Sequence, residues 1–438
     1  MILRLPNVPA RIAAVFLAIT LAATLTYLSV RNARAVIAAS RSTRLGYETA
    51  ARLEPQNAEN WYFLGRYWQY TLDEPNPPLA IKNYRHALLL NPGSADTWLD
   101  LATAYESEGD LQNARNAFLQ AKRVYPLSAA VSWRYGNFLL RQDEVPQAFA
   151  EIRRAAYADP KRSAEAFSRC WRVDPDINAI LDAVLPPDRD GYLDVIRELD
   201  TQTQIAPALT VWQRLVSIHP ALKLSDVIPF SELLIQKHQM RDARRVWNDA
   251  LRLSNMPQNI DAASSALWDG GFETGVRGGA FAWVFAAPSG GVQIGVDSRQ
   301  KHSGNYSLRL TFDGRHNVNF AGVCNNAEVR PETSYHLSAW VRTQGLTTDQ
   351  GVRLLLNSYS DPNSYSDSHA ASSAVTADVK GTQPWTLVES PWTSGKDVRY
   401  ARVCAVRYTS GKFDSQIHGS AWIDDVALIP DAAGSPRP

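Results

Sequence analysis

Prolines and large apolar residues recur in this chain at a fixed spacing. Five times a large apolar residue stands eight positions before a proline: Tyr47 and Pro55, Tyr84 and Pro92, Phe118 and Pro126, Ile152 and Pro160, Trp212 and Pro220. In the first four, an alanine follows three positions after the apolar residue, at Ala50, Ala87, Ala121 and Ala155. Trp247 and Ala250 repeat the pattern, with Asn255 in place of the proline. Six or seven residues after each early proline comes another large aromatic: Trp61, Trp98, Trp133 and Phe167. The first proline-to-proline steps are 37, 34 and 34 residues. Few architectures other than a stack of helix pairs satisfy such a period.

A proline has no backbone N–H to donate, so each one ends the second helix of a pair. Trp61, Leu64 and Tyr67 share one helical face, as do Trp98, Leu101 and Tyr105. The alanines let neighbouring helices approach closely. Gly65, Gly109 and Gly136 fall where a repeat needs tight packing or a turn. The tryptophans of this region read as core packing, and Cys170 as a buried apolar residue. The pattern resembles the tetratricopeptide repeat, whose period is about 34 residues. The resemblance is clear over 45–160 and degraded over 161–257, where Pro160 and Pro220 stand 60 residues apart. It implies an α-helical solenoid that offers a surface to a protein partner.

From Leu267 onward the periodicity changes to two. Tyr306 to Phe312 and Tyr335 to Arg342 alternate apolar and polar residues, and turn residues separate such runs. That is the signature of antiparallel strands in a sandwich. The ordered set Gly270-Gly271-Phe272-Glu273, Trp283, Ser303-Gly304, Pro331-Glu332-Thr333, Ala339-Trp340-Val341-Arg342, Gly381-Thr382 with Trp385, and Trp422-Ile423-Asp424-Asp425-Val426 resembles the jelly-roll carbohydrate-binding modules of the CenC type, over about 265–430. The resemblance implies polysaccharide binding, although many homologous domains have no demonstrated sugar ligand.

The alternation also sorts residues by face. Tyr335, Leu337, Ala339 and Val341 point into the sandwich; His336, Ser338, Trp340 and Arg342 point out. Val352, Leu354 and Leu356 point in; Arg353, Asn357 and Tyr359 point out. Trp340, Arg342, Arg353, Asn357 and Tyr359, with Trp283, are the candidate glycan-binding set. Aromatic rings stack on sugar rings, and Arg and Asn hydrogen-bond hydroxyls. The other reading covers Trp340 and Tyr359 with a loop or with the repeats, and keeps Trp283 structural. Trp385 reads as core. The loop Ser358 to Ser373 would rim the cleft.

Asp424 shares its strand face with Trp422, Val426 and Leu428, which places a carboxylate on the apolar side. Such a charge needs a partner or a metal. In the resembled modules a first-strand glutamate and a last-strand aspartate hold structural calcium, and Glu273 and Asp424 match those positions. Carbonyls near Lys301–Ser303 would complete the oxygen shell; a hydrogen-bonded carboxylate without metal is the alternative. Cys324 and Cys404 are either a disulfide or two buried thiols; a disulfide fits a domain outside the cytoplasm.

Ile12 to Val30 is a run of 19 residues without a formal charge. As a helix it is about 28 Å long, close to the bilayer core. It exceeds the apolar region usual in a signal peptide, so an uncleaved anchor is the expectation. The chain thus divides into an anchor and juxtamembrane segment (1–44), helical repeats (45–262), a jelly roll (263–430) and a disordered tail (431–438). This is a multidomain α plus β protein: a single-pass inner-membrane protein with its bulk on the periplasmic or extracytoplasmic side.

The net charge of +1, from 45 basic and 44 acidic residues, excludes a dominant nucleic-acid partner. The histidines form no metal motif, and no nucleophile elbow is present. Three functions follow in order of preference. The first is a non-enzymatic adaptor that binds a protein partner and a polysaccharide, in cell-envelope or exopolysaccharide assembly or export. The second is a purely structural scaffold, favoured by an outward face without accessible aromatics. The third is a carbohydrate-active enzyme, which needs two carboxylates about 5–9.5 Å apart in a cleft.

Overall fold

The computed structural model describes residues 8–72, 74–257, 265–287, 290–359 and 370–431. It divides into two compact units, 1–186 and 187–438. The tail beyond 431, and most of the Ser358 to Ser373 loop, lie outside the described residues.

The first unit opens with α1 (Val8–Ala39), whose 32 residues make a helix about 48 Å long. It contains the Ile12 to Val30 run, and the large apolar side chains there point outward. The helix is long and apolar enough to cross a membrane; a signal sequence would satisfy the same test. Helices α2 (Arg44–Leu53), α3 (Ala58–Tyr70), α4 (Pro77–Leu90), α5 (Ala95–Ser107), α6 (Leu111–Val124), α7 (Ala129–Arg141) and α8 (Val145–Ala158) follow as antiparallel neighbours. Two shorter ones, α9 (Ser163–Trp171) and α10 (Ile177–Ala183), close the unit.

The recurring residues do what their spacing requires. The C-caps of α2, α4, α6 and α8 are Glu54, Asn91, Tyr125 and Asp159, each immediately before a periodic proline. Asn57, Asn76, Ser94, Asp110 and Ser128 cap the next helix N-termini through their side chains. Ala50, Ala87, Ala121 and Ala155 are all buried at helix crossings. Trp61 and Trp98 are half-buried and pack against the core, and Trp133 is half-buried as well. Trp61 and Trp98 each donate the indole N–H to the carbonyl of the preceding proline, Pro55 at 3.0 Å and Pro92 at 2.9 Å. Cys170 is buried, which pushes its thiol up to about 12.

The second unit begins with α11 (Arg189–Thr201), α12 (Ile205–Ser217), α13 (Ile228–Gln236) and α14 (Met240–Leu253). Trp212, Trp247 and Ala250, the last members of the periodic set, are buried in it. Among the described residues ten strands follow: β1 (Val284–Phe285), β2 (Val292–Asp297), β3 (Ser307–Asp313), β4 (Phe320–Glu328), β5 (Ser334–Leu346), β6 (Arg353–Tyr359), β7 (Ser372–Val375), β8 (Gly381–Thr393), β9 (Tyr400–Arg407) and β10 (His418–Pro430). They form two antiparallel sheets, β1-β4-β9-β6-β7 and β2-β3-β10-β5-β8. Leu310, Leu337, Val341, Leu354, Val403 and Ile423 fill the space between them.

The outer face of the first sheet lies under helices. Arg244 of α14 stacks on Phe281 at 3.9 Å and reaches Glu328 of β4 at 3.8 Å. Trp247 meets Trp268 edge-on at 5.4 Å. Ile235, His238 and Met240 share a cavity of about 230 Å³ with Tyr359 and Tyr400.

Gly65 tests the repeat packing. A Cβ there would lie 2.7 Å from the ring of Tyr84. That ring is buried and its hydroxyl is held by Gln69 at 2.6 Å, so it has little room to move. Overpacking costs about 1–3 kcal/mol, against a gain of about 1 kcal/mol from better helix propensity. Gly65→Ala is therefore expected to lower stability by up to about 2 kcal/mol in urea unfolding. An unchanged or higher stability would mean that Tyr84 gives way.

Candidate functional site

The residues expected to bind a glycan fall on opposite sides of the sandwich. Trp340 and Arg342 lie on the outer face of β2-β3-β10-β5-β8. Arg353, Asn357 and Tyr359 lie on the outer face of β1-β4-β9-β6-β7. Tyr359 is 3% exposed and Asn357 is buried too, because that face is covered. Arg353 is held by Gln350 at 2.8 Å and Asp378 at 3.3 Å. Trp283 is no platform: it is buried, stacks near Phe272 at 4.7 Å, and donates its N–H to the carbonyl of Asp269. One cleft cannot use all six residues.

The face of Asp424 also differs from the strict alternation. Residue Asp425 adopts φ 49° and the register of β10 against β5 shifts between Asp424 and Ala427. This bulge inserts one residue, so Ile423 and Val426 both point into the core while Asp424 and Trp422 point out. Asp424 is nevertheless buried, because the loop 301–304 closes over it. Its Oδ2 accepts the N–H of His302 at 2.7 Å and of Ser303 at 3.2 Å, and its Oδ1 that of Asp425 at 2.8 Å. Glu273 likewise accepts the N–H groups of Asn305 at 2.7 Å and Tyr306 at 3.0 Å. The loop turns N–H donors toward both carboxylates. Among the described residues no group of three or more His, Cys, Asp or Glu is placed to hold a metal. These residues are arranged as hydrogen-bonded carboxylates, the alternative to the calcium reading.

Cys324 and Cys404 are disulfide-bonded across the adjacent strands β4 and β9. The bridge lies on the covered outer face, since the neighbouring Val323 and Val403 point into the core.

The open outer face carries a row of aromatic and basic side chains. Trp422 of β10 pairs with Arg342 of β5, and Asp424 with Trp340. Trp340 in turn pairs with Leu387 of β8. A register shift leaves Trp385 in the stretch opposite Arg342. Trp385 is half-buried on this face and not in the core, contrary to the sequence reading. Leu387 is 43% exposed. Trp422 is held by Asp297 at 2.9 Å, with Arg309 over its ring at 5.5 Å. His302 stacks on Trp340 with ring centroids 4.0 Å apart and touches Trp385 edge-on at 5.7 Å. Asp425 fixes His302 at 2.6 Å. Arg342, by contrast, makes no hydrogen bond or ion pair among the described residues, and its Nε is buried without a partner. His302, Trp385 and Trp422 were missed in the sequence because loop closure and the bulge, not alternation, bring them here.

In the first unit, facing helices are tied through one carboxylate. Asp100 of α5 accepts the hydroxyl of Tyr62 at 3.1 Å and both terminal nitrogens of Arg134 at 2.9 Å; Arg66 lies at 3.6 Å. Burial, then Asp100, pushes Tyr62 up to about 12. Arg141 and Glu106 add a second tie between α5 and α7 at 2.7 Å. Residues 72–123 and 99–163 match the family model of the tetratricopeptide repeat. Residues 72–163 of the helical array are a tetratricopeptide-repeat region. Such repeats bind protein partners generally, and their fold is typically non-catalytic.

Solved structures with similar folds include the tetratricopeptide-repeat protein YrrB, described as having an unusual peptide-binding site. It is 12% identical, with 49% of this chain and 94% of that chain covered and a TM-score of 0.26. Pseudomonas aeruginosa pilF is 18% identical over 45% of this chain and 92% of its own, with a TM-score of 0.25. A structure of the Clostridium thermocellum endo-1,4-β-D-xylanase 10B, containing its CBM22-1 and GH10 modules with xylohexaose, is 13% identical over 33% of this chain. That match covers 26% of the xylanase chain, with a TM-score of 0.23. No curated protein matches the sequence.

Two outcomes follow for the capped carboxylates. Calcium or a chelator should leave the thermal midpoint of the chain unchanged. Asp424→Ala should cost about 1–3 kcal/mol, because three N–H groups lose their acceptor. Burial pushes the Asp424 carboxyl from 3.8 up to about 6, against the pull of the His302 N–H. The folded state therefore holds this proton more tightly than the unfolded state. The corresponding stability is present below about pH 4 and is lost as pH rises to about 6. The gap between wild type and Asp424→Ala should thus be wider at pH 4 than at pH 7 in urea titrations.

Proposed function

We propose that this chain is a membrane-tethered, non-enzymatic adaptor, whose repeats bind a protein partner and whose sandwich binds a polysaccharide on its open face. The observation that carries the sugar half is Arg342. Its donors have no partner among the described residues, and it lies between Trp422 and Trp385 beside the exposed Leu387. An indole face with a neighbouring guanidinium offers a sugar both a stacking surface and hydroxyl partners. Trp340 stays in the set at the edge of this row. Trp283, Asn357 and Tyr359 leave it because they are buried, and Arg353 because it is held on the other sheet.

For the protein half, Tyr62, Arg66, Tyr70, Arg134 and Arg141 present aromatic and basic groups on facing helices. With α1 as the tether, the Cys324–Cys404 disulfide favours an oxidising compartment for the rest of the chain. The pairing of activities suits work on cell-envelope polysaccharide. A second reading, the purely structural scaffold, draws support from the helices over the first sheet and from His302 on one face of Trp340.

Affinity electrophoresis of the full chain, in a detergent without a sugar headgroup, separates the two. Retardation by a soluble polysaccharide that is weakened in both Arg342→Ala and Trp385→Ala is the expected result. No retardation by any glycan, with an unchanged circular dichroism spectrum, would leave the scaffold reading.

A further inference from the structure

The periodic tryptophans of the repeats are not equivalent. Trp61 and Trp98 occupy the same place in successive repeats, six residues after a proline, with the same indole bond to its carbonyl. Over Trp61 lies the ring of His86, with centroids 4.2 Å apart. His86 stands six residues before Pro92, and the residue six before Pro126 is Gln120. That ring, tilted 54° to the indole, is therefore replaced by an amide in the next repeat. Trp133 is covered differently, by Arg162 at 5.6 Å. Among the described residues Trp98 has no ring or cation over it. It faces a groove of about 560 Å³ between α4 and α6, floored by α5.

We propose that this groove is a second glycan-contact site, selective for a neutral, hydroxyl-rich oligosaccharide. The half-buried indole of Trp98 provides a flat apolar surface. A pyranose ring stacks on such a surface at about the distance that an imidazole does. Asn116 and Gln120 stand four residues apart on α6, so they lie on one helical face beside the indole. A primary amide both donates and accepts, which matches neighbouring hydroxyls. Gln120 makes no hydrogen bond among the described residues, and Asn116 has only a 3.5 Å contact from Gln112. Arg85, Tyr105 and Asn113 complete the polar lining, and no carboxylate lines the groove. The exposed Leu89 sits at the lip. Absence of acidic groups disfavours a cationic ligand, and a single arginine among amides suits a neutral one.

The test uses the full chain in a detergent without a sugar headgroup. Cellohexaose, xylohexaose and maltohexaose are titrated by calorimetry against wild type, Gln120→His, Trp98→Ala and Trp385→Ala. Gln120→His rebuilds over Trp98 the ring that His86 places over Trp61, so it closes the groove without emptying a core position. The expected result is saturable binding of at least one hexaose, weakened at least about tenfold by Gln120→His with no loss of thermal midpoint. Trp98→Ala should weaken it as much, and Trp385→Ala should leave it intact. Three results overturn the proposal: no hexaose binds, binding survives Gln120→His, or all binding disappears in Trp385→Ala. The last would place every sugar contact on the sandwich, so the two sites fail separately. Binding of an apolar extended peptide that Gln120→His abolishes, with no hexaose bound, would reassign the groove to a protein segment and also overturn it.

Discussion

The second unit depends on how α14 is seated against the sandwich. Trp247 is fully buried there, between the rings of Trp268 and Phe281. Arg244 lies one turn earlier, over Phe281, and donates to the carbonyl of Ala266 at 2.9 Å. Burial pulls the Arg244 guanidinium down to about 10 and raises the Glu328 carboxyl. Two desolvated charges are tolerated because they face each other and because aromatic packing surrounds them. A cleavage of this joint would expose one whole outer face of the first sheet. With the joint intact, the sandwich and the last helices form one body.

That seating decides where a ligand has access. A two-sheet sandwich has two outer faces, and here one of them lies beneath helices. The tyrosines Tyr359 and Tyr400, which would otherwise line a polar cleft, serve as packing beside α13 and α14. The remaining face is shaped by a bulge and a loop. The bulge at Asp425 turns Trp422 and Asp424 outward, and the loop 301–304 covers Asp424 with N–H donors. His302 then rests on Trp340. What is left open is the neighbouring strip of Arg342, Trp385 and Leu387.

In the first unit the same helix pair is reused with small local changes. The alanines and glycines set the close approach, and the prolines set the ends. Asp100 joins the alternate helices α3, α5 and α7 by gathering a tyrosine and two arginines around one carboxylate. Differences between repeats then appear at half-buried positions, where packing is permissive. The exchange of His86 for Gln120 is such a difference. It leaves the repeat geometry unchanged but opens the face of Trp98.

The sequence by itself determined the helix pairs, their proline ends, the strands and most of their inward faces. These features are local: hydrogen-bond loss at proline acts on its own helix, and alternation follows directly from the pleat. Leu337, Val341, Leu354 and Leu356 were therefore legible as core. The tertiary structure alone decided which outer face stays open, because coverage depends on helices more than 80 residues away in the chain. It also decided the side on which Asp424 lies, since one inserted residue inverts a strand's faces. Trp283 and Tyr359 read as sugar platforms for the same reason that Trp385 read as core. Residue type and spacing report a side chain's chemistry, but burial is a property of what folds against it.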